Sequence, residues 1–100
     1  MLMIRDIMYC KPGKVRALVE KFKAMQALSL RAGLPKSRIY TDLSAERFWT
    51  VVSEIEVESV DAFMKMGEGD ATIMKEMEDI MKGYHDLVDK GRREIYTVES

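Results

Sequence analysis

The sequence predicts an α+β fold of order βαββαβ, a four-stranded antiparallel sheet with two helices on one face. Three observations carry this. An extended apolar run, a sharp stop and an amphipathic helical pattern occur in that order twice, first from Leu2 and again from Phe48. Each helical pattern is followed by one further β-prone stretch, Arg38 to Leu43 and Arg92 to Val98. Two such halves with right-handed crossovers close into a single sheet.

The first strand, Leu2 to Tyr9, sets Leu2, Ile4, Asp6, Met8 and Cys10 on one face and Met3, Arg5, Ile7 and Tyr9 on the other. Both faces are largely apolar, as in a central strand covered on two sides. Lys11-Pro12-Gly13-Lys14 stops it, with Pro12 where a missing N–H is harmless. Val15, Leu18, Val19, Phe22 and Met25 then form one helical stripe, and Gly33 and Pro35 end the pattern near Ala32. Arg38 to Leu43 alternates polar and apolar residues and leads through Ser44-Ala45-Glu46 to the third strand. That strand, Phe48 to Val57, is the richest in β-formers. Ser59 is placed to cap a second helix, with Asp61 in its first turn and Val60, Phe63 and Met64 as its apolar face. Gly67-Glu68-Gly69-Asp70 interrupts it, and Asp70 is placed to cap a second segment. There Ile73, Met77, Ile80, Tyr84, Leu87 and Val88 continue the stripe to about Lys90, and Gly91 ends it.

One hundred residues fit a single domain, 1–100, with 47% hydrophobic and 33% charged side chains, a globular composition. A net charge of -1 gives no general pull toward nucleic acid or an anionic membrane. The lone Cys10 excludes an intramolecular disulfide and fits a reducing cytoplasm. No apolar run reaches membrane-spanning length, and Arg5 and Asp6 make the N-terminus a poor signal peptide. On the face away from the helices, Met3, Ile7 and Tyr9 would form a large exposed apolar patch. A second copy of the same sheet is the expected cover, so a homodimer is predicted.

Lys11-Pro12-Gly13-Lys14 at the strand-to-helix turn and Ser59-Val60-Asp61-Ala62-Phe63 after the third strand resemble the dimeric α/β-barrel superfamily, in particular its antibiotic-biosynthesis-monooxygenase-like and NIPSNAP-like groups. The element order matches along the full length. The resemblance implies a ferredoxin-like homodimer with a cleft between sheet and helices in each subunit. Such clefts serve cofactor-independent oxygenation of aromatic substrates, haem breakdown, or uncharacterised binding. The haem-degrading branch carries an Asn on strand one and a Trp and a His on the second helix. Those positions hold Asp6, Met66 and Glu76 here, so haem breakdown is not expected.

Asp6 is the misfit of the first strand, a carboxylate between Ile4 and Met8. It must be paired, protonated or wet, because an isolated buried charge is expensive. One reading makes it a general base in the cleft; the other makes it the structural partner of Arg92 or Arg93. His85, the only histidine, is the obvious proton shuttle, yet on the helical wheel it falls beside the core stripe, with Asp89 one turn on as a surface partner. Tyr40, Trp49 and Tyr96 could line an aromatic-binding pocket or simply fill core and interface. Nine methionines suit a deformable apolar wall, with core filling as the plainer explanation. Gly67-Glu68-Gly69-Asp70 reads as a cleft lid or as a simple helix break.

No metal and no cofactor are expected. One Cys and one His cannot build a usual zinc site, and neither a Walker loop nor a dinucleotide fingerprint is present. Two functions remain. One is a cofactor-free monooxygenase or isomerase-like enzyme acting on a small hydrophobic or aromatic compound, with Asp6 as base, Trp49 and Tyr40 as platform and dioxygen as co-substrate. The other is a non-catalytic dimeric ligand binder or structural protein. An RNA-recognition motif shares the element order, but Glu54 and Glu56 follow Arg47-Phe48-Trp49 where basic and aromatic residues are needed.

Overall fold

The computed structural model describes residues 1–66, 68 and 70–100. Four strands, β1 (Leu2–Cys10), β2 (Arg38–Thr41), β3 (Thr50–Val57) and β4 (Val88–Thr97), form one antiparallel sheet of order β2-β3-β1-β4. The helices α1 (Val15–Arg31), α2 (Val60–Lys65) and α3 (Ala71–Met81) pack on one face of it. This is the predicted ferredoxin-like arrangement. The central position of β1 follows from its two apolar faces: Ile4, Ile7, Tyr9 and Cys10 are all buried.

The helix-side core joins Cys10 and Val51 of the sheet to Leu18 and Val19 of α1, with Met8, Val15, Phe22 and Ile39 packed around them. The predicted stripe of α1 is the one that turns inward. Caps form where the sequence placed them. The Ser59 side chain accepts from the Ala62 N–H, and the Asp70 carboxylate accepts from the Thr72 N–H at 2.6 Å. A link the sequence did not announce ties α1 to α3. Lys21 Nζ donates to the Ile80 and Lys82 carbonyls at 3.0 and 2.7 Å, meeting the negative end of α3 with a positive charge.

The second half departs from expectation at its end. The helix stops at Met81, not near Lys90, and Gly83 turns the chain at φ 82°, a left-handed conformation that favours glycine. A single 3₁₀ turn, Tyr84–Asp86, follows, and β4 begins at Val88, opposite Cys10. Leu87 and Val88 do pack on the core, but from a turn and a strand. Gly91 therefore lies inside β4 opposite Met8, where a Cβ would come within 2.6 Å of Met8 Sδ. Along α2 Ala62 and Phe63 are the part-buried residues; Val60 and Met64, assigned to its apolar face, are exposed because six residues give too short a contact.

The third strand also starts later than predicted. Phe48 and Trp49 belong to the connection, and Trp49 takes φ 59°, outside any strand. The side chain of Asp42 closes this loop by accepting from the Thr50 N–H at 2.8 Å. Residues 67 and 69 lie outside the described residues, and with them the Gly67–Asp70 lid. No helix among the described residues is long and apolar enough to cross a membrane.

Candidate functional site

Register sorts the sheet side chains into two chemically distinct faces. Asp6 pairs across β1–β4 with Arg93, and Met8 with Gly91; these point toward the helices. Arg5, Ile7 and Tyr9 point away from them, with Glu54, Val52 and Thr50 of β3.

On the helix side a cleft of about 310 Å³ opens between sheet, α1 and α2. Met8, Phe22, Met25, Ile55, Phe63 and Met81 give it apolar walls. Asp6, Gln26, Ser29, Ser37, Ser53 and Tyr84 place polar groups at its surface. Asp6 is not a free carboxylate. Arg93 grips it with two hydrogen bonds, Nε to Oδ1 at 2.6 Å and Nη2 to Oδ2 at 3.2 Å, a fork that matches carboxylate geometry. The same guanidinium lies 4.9 Å from the ring centre of Phe63, so Arg93 ties strand to α2. Asp6 in turn holds Arg93 more firmly protonated than usual. Of the two readings of Asp6, the structure shows the pair with Arg93.

The other predicted site residues do not converge on this cleft. His85 sits exposed on the 3₁₀ turn, its ring centre 4.5 Å from that of Tyr84 at a tilt of 50°, and is absent from the cleft lining. Asp89, its expected partner, instead pairs with Arg47 at 3.4 Å. His85 is outside the core, as the helical wheel had it, but the expected Asp89 pairing is not formed, because a 3₁₀ turn and not an α-helix carries His85. Its neighbour Tyr84, read as core, is the residue that reaches the cleft. Trp49 lies apart, beside Phe48, Val15 and Asp42 at the β2–β3 connection.

Tyr40 and Tyr96 are on the opposite face of the sheet. There Tyr40 donates to Glu54 Oε1 at 3.0 Å, and Arg5 grips Glu54 Oε2 at 2.8 Å. Tyr96 donates to Glu94 at 2.7 Å, and Arg92 pairs with Glu94 at 3.3 Å. Each hydrogen bond to a carboxylate raises its tyrosine's pKa, since the phenol is needed as donor. A hollow of about 320 Å³ opens on this face over Ile7, Tyr9 and Val52. The apolar patch expected here is already reduced by the chain itself. Ile7 and Tyr9 are only 7% and 6% exposed, because Arg47 stacks 4.4 Å over the Tyr9 ring and residues 45–46 border the hollow. Apolar exposure alone therefore does not demand a second subunit.

No family model matches the chain, and neither does any curated protein. Solved structures do. An uncharacterised NIPSNAP domain protein from Burkholderia xenovorans superposes with TM-score 0.77 at 11% identity, over 100% of this chain and 96% of that one. A putative antibiotic biosynthesis monooxygenase from Nitrosomonas europaea gives 0.73 at 16% identity, over the full length of both chains. A NIPSNAP family protein from Agrobacterium tumefaciens gives 0.74 at 12% identity, over 96% and 90%. At these identities the likeness is one of fold. The chain thus has the ferredoxin-like α+β fold shared by antibiotic-biosynthesis-monooxygenase-like and NIPSNAP-domain proteins.

Proposed function

We propose that this chain is a homodimeric, cytoplasmic small-molecule-binding protein that holds a small hydrophobic or aromatic compound in the cleft between sheet and helices of each protomer. The observation that carries the reading is the cleft itself. Its volume is at the lower bound of ligand-sized pockets, and its lining is divided evenly between apolar Met, Phe and Ile side chains and six polar ones. Three methionines there suit ligands of variable outline. Asp6 and Arg93 neutralise each other, so the cleft favours uncharged compounds that offer a hydroxyl or carbonyl to Asp6, Gln26 or the serines. The free, buried Cys10 suits a reducing compartment.

A second reading is a cofactor-independent monooxygenase using dioxygen. It is favoured by Tyr84 and Asp6 lining the same apolar cleft, a phenol and a carboxylate near any bound ring. Asp6 would then accept a proton while still held by Arg93. His85 has no place in either reading.

A panel of uncharged aromatic alcohols and ketones, screened by thermal shift and then calorimetry, tests both. Binding that is lost in Ser53→Trp, which fills the cleft, and kept in His85→Ala supports the cleft reading. Binding unaffected by Ser53→Trp sinks it. Oxygen uptake dependent on a bound compound, and abolished in Asp6→Asn, selects the enzyme.

A further inference from the structure

Trp49 breaks a backbone preference, and the chain holds it there. At φ 59° a bulky side chain sits in the left-handed region, a costly conformation that persists only where surrounding bonds impose it. Here four bonds do so. The Trp49 carbonyl accepts from the Cys10 N–H at 2.8 Å, and the Thr50 hydroxyl donates to the Arg47 carbonyl at 2.8 Å. Asp42 and Thr50 exchange the other two: the Asp42 N–H donates to the Thr50 carbonyl at 3.2 Å, and the Thr50 N–H donates to Asp42 Oδ1 at 2.8 Å. Strain of this kind collects at ligand clamps, so what the loop presents matters.

The loop presents an aromatic corner beside a carboxylate. Phe48 and Trp49 are 82% and 44% exposed, and their rings stand 6.3 Å apart at 65°. Both line a shallow hollow of about 540 Å³ with Val15, Thr41 and Asp42, and it shares no residue with the cleft between sheet and helices. Aromatic faces are electrically negative, and Asp42 adds a full negative charge. Its Oδ1 is engaged with Thr50, while Oδ2 has no hydrogen-bond partner among the described residues. The chain's own cations leave the place open. Lys14 and Arg47 adjoin the lining in sequence, yet neither pairs with Asp42 among the described residues. Arg47 is turned to Asp89 at 3.4 Å and to the Tyr9 ring at 4.4 Å.

The hollow thus selects for positive charge, and its walls say which kind. A bare ammonium is strongly hydrated and needs an acceptor for each N–H, which one free carboxylate oxygen does not supply. An alkylated ammonium has a weaker claim on water and lays its carbon groups on the ring faces. The volume falls in the range of small-molecule sites. We propose that the β2–β3 connection binds a small alkylated ammonium ion between Phe48 and Trp49, with Asp42 as its counter-charge. This second site takes a cation where the cleft takes an uncharged compound, and it stands independently of the cleft reading.

Trp49 is the only tryptophan in the chain, so its fluorescence reports from within the site. Titration with choline should give a saturable change with Kd of about 1–10 mM, as befits an open hollow. The uncharged isostere 3,3-dimethylbutan-1-ol should bind about fivefold more weakly or worse. Asp42→Asn keeps an amide oxygen to accept from the Thr50 N–H and removes only the charge; it should weaken choline about threefold. Phe48→Leu should weaken it about twofold or more. Circular dichroism confirms that both variants fold. By calorimetry, Ser53→Trp should leave choline affinity unchanged, whereas loss there places the ion in the cleft and overturns the second site. Fluorescence that stays flat to about 100 mM choline, far above any useful affinity, overturns it as well. So does equal binding of the uncharged isostere, or choline affinity that survives both Asp42→Asn and Phe48→Leu. A response to phosphatidylcholine vesicles without one to choline assigns the loop to a lipid surface and sinks the small-molecule site.

Discussion

The two faces of the sheet use the same chemical parts in opposite ways. Behind the helices, one arginine and one carboxylate, Arg93 and Asp6, pair in isolation among Met and Phe side chains. On the outer face, Arg5, Glu54, Glu94 and Arg92 share contacts with one another and with two tyrosines. The isolated pair has no understudy. Losing one member strands the other in a poorly solvated place. In the outer network Glu54 would keep Tyr40 if Arg5 were removed, and water can reach the rest. The comparison teaches that an ion pair's worth here depends on how many alternative partners its members retain.

Removing Arg93 should break the contrast most strongly. Arg93→Met leaves Asp6 half-buried without its fork and removes the stack on Phe63, and it should cost about 1–2 kcal/mol, reduced from a fully buried pair because Arg93 is half exposed. Urea denaturation of the variant measures this. Adding Asp6→Asn should recover part of the loss, since a neutral amide is less costly to leave there. If the double variant is no better than the single one, the stranded charge is not the cause.

Arg5→Met should cost less, below about 1 kcal/mol, because Glu54 retains the Tyr40 hydroxyl and solvent. Equal losses for Arg5→Met and Arg93→Met in the same denaturation series would erase the distinction between the faces.

The smallest effect is a pH dependence confined to the outer face. Tyr40 and Tyr96 have pKa values raised above the ordinary 10.0 by hydrogen bonds to Glu54 and Glu94. A raised folded-state pKa means the contribution is complete below pH 10 and is lost as pH rises through the higher, folded value. Melting temperature followed from pH 8 to 11 should fall slightly more steeply for the wild type than for Tyr40→Phe/Tyr96→Phe. Parallel curves would show that neither hydroxyl matters.

Legibility followed the same local-to-distant gradient. α1 could be read closely because five apolar residues at helical spacing, a proline before and a glycine after all agree within one segment. The end of α3 could not. Leu87 and Val88 keep helical spacing, and nothing local says that Gly83 rather than Gly91 is the stop; the pairing of Val88 with Cys10, far off in sequence, decides it. For the cleft, Asp6 stood out as a charge among apolar neighbours, and an arginine of the last strand was among its foreseeable partners. Tyr84 was hidden because its spacing matched a helix that is not there. The outer network was hidden too, since no residue in it is unusual alone and it exists only once four strands are in register.

By itself, then, the sequence determined the element order, the central strand and the inward stripe of α1, because periodicity and capping act within a few residues of one another. Tertiary structure alone decided that Asp6 is held by Arg93, that His85 stays outside the cleft, and that Arg5, Glu54, Glu94 and Arg92 share one network. Those outcomes depend on strand register, and register is set by the summed packing of the whole sheet rather than by any single segment.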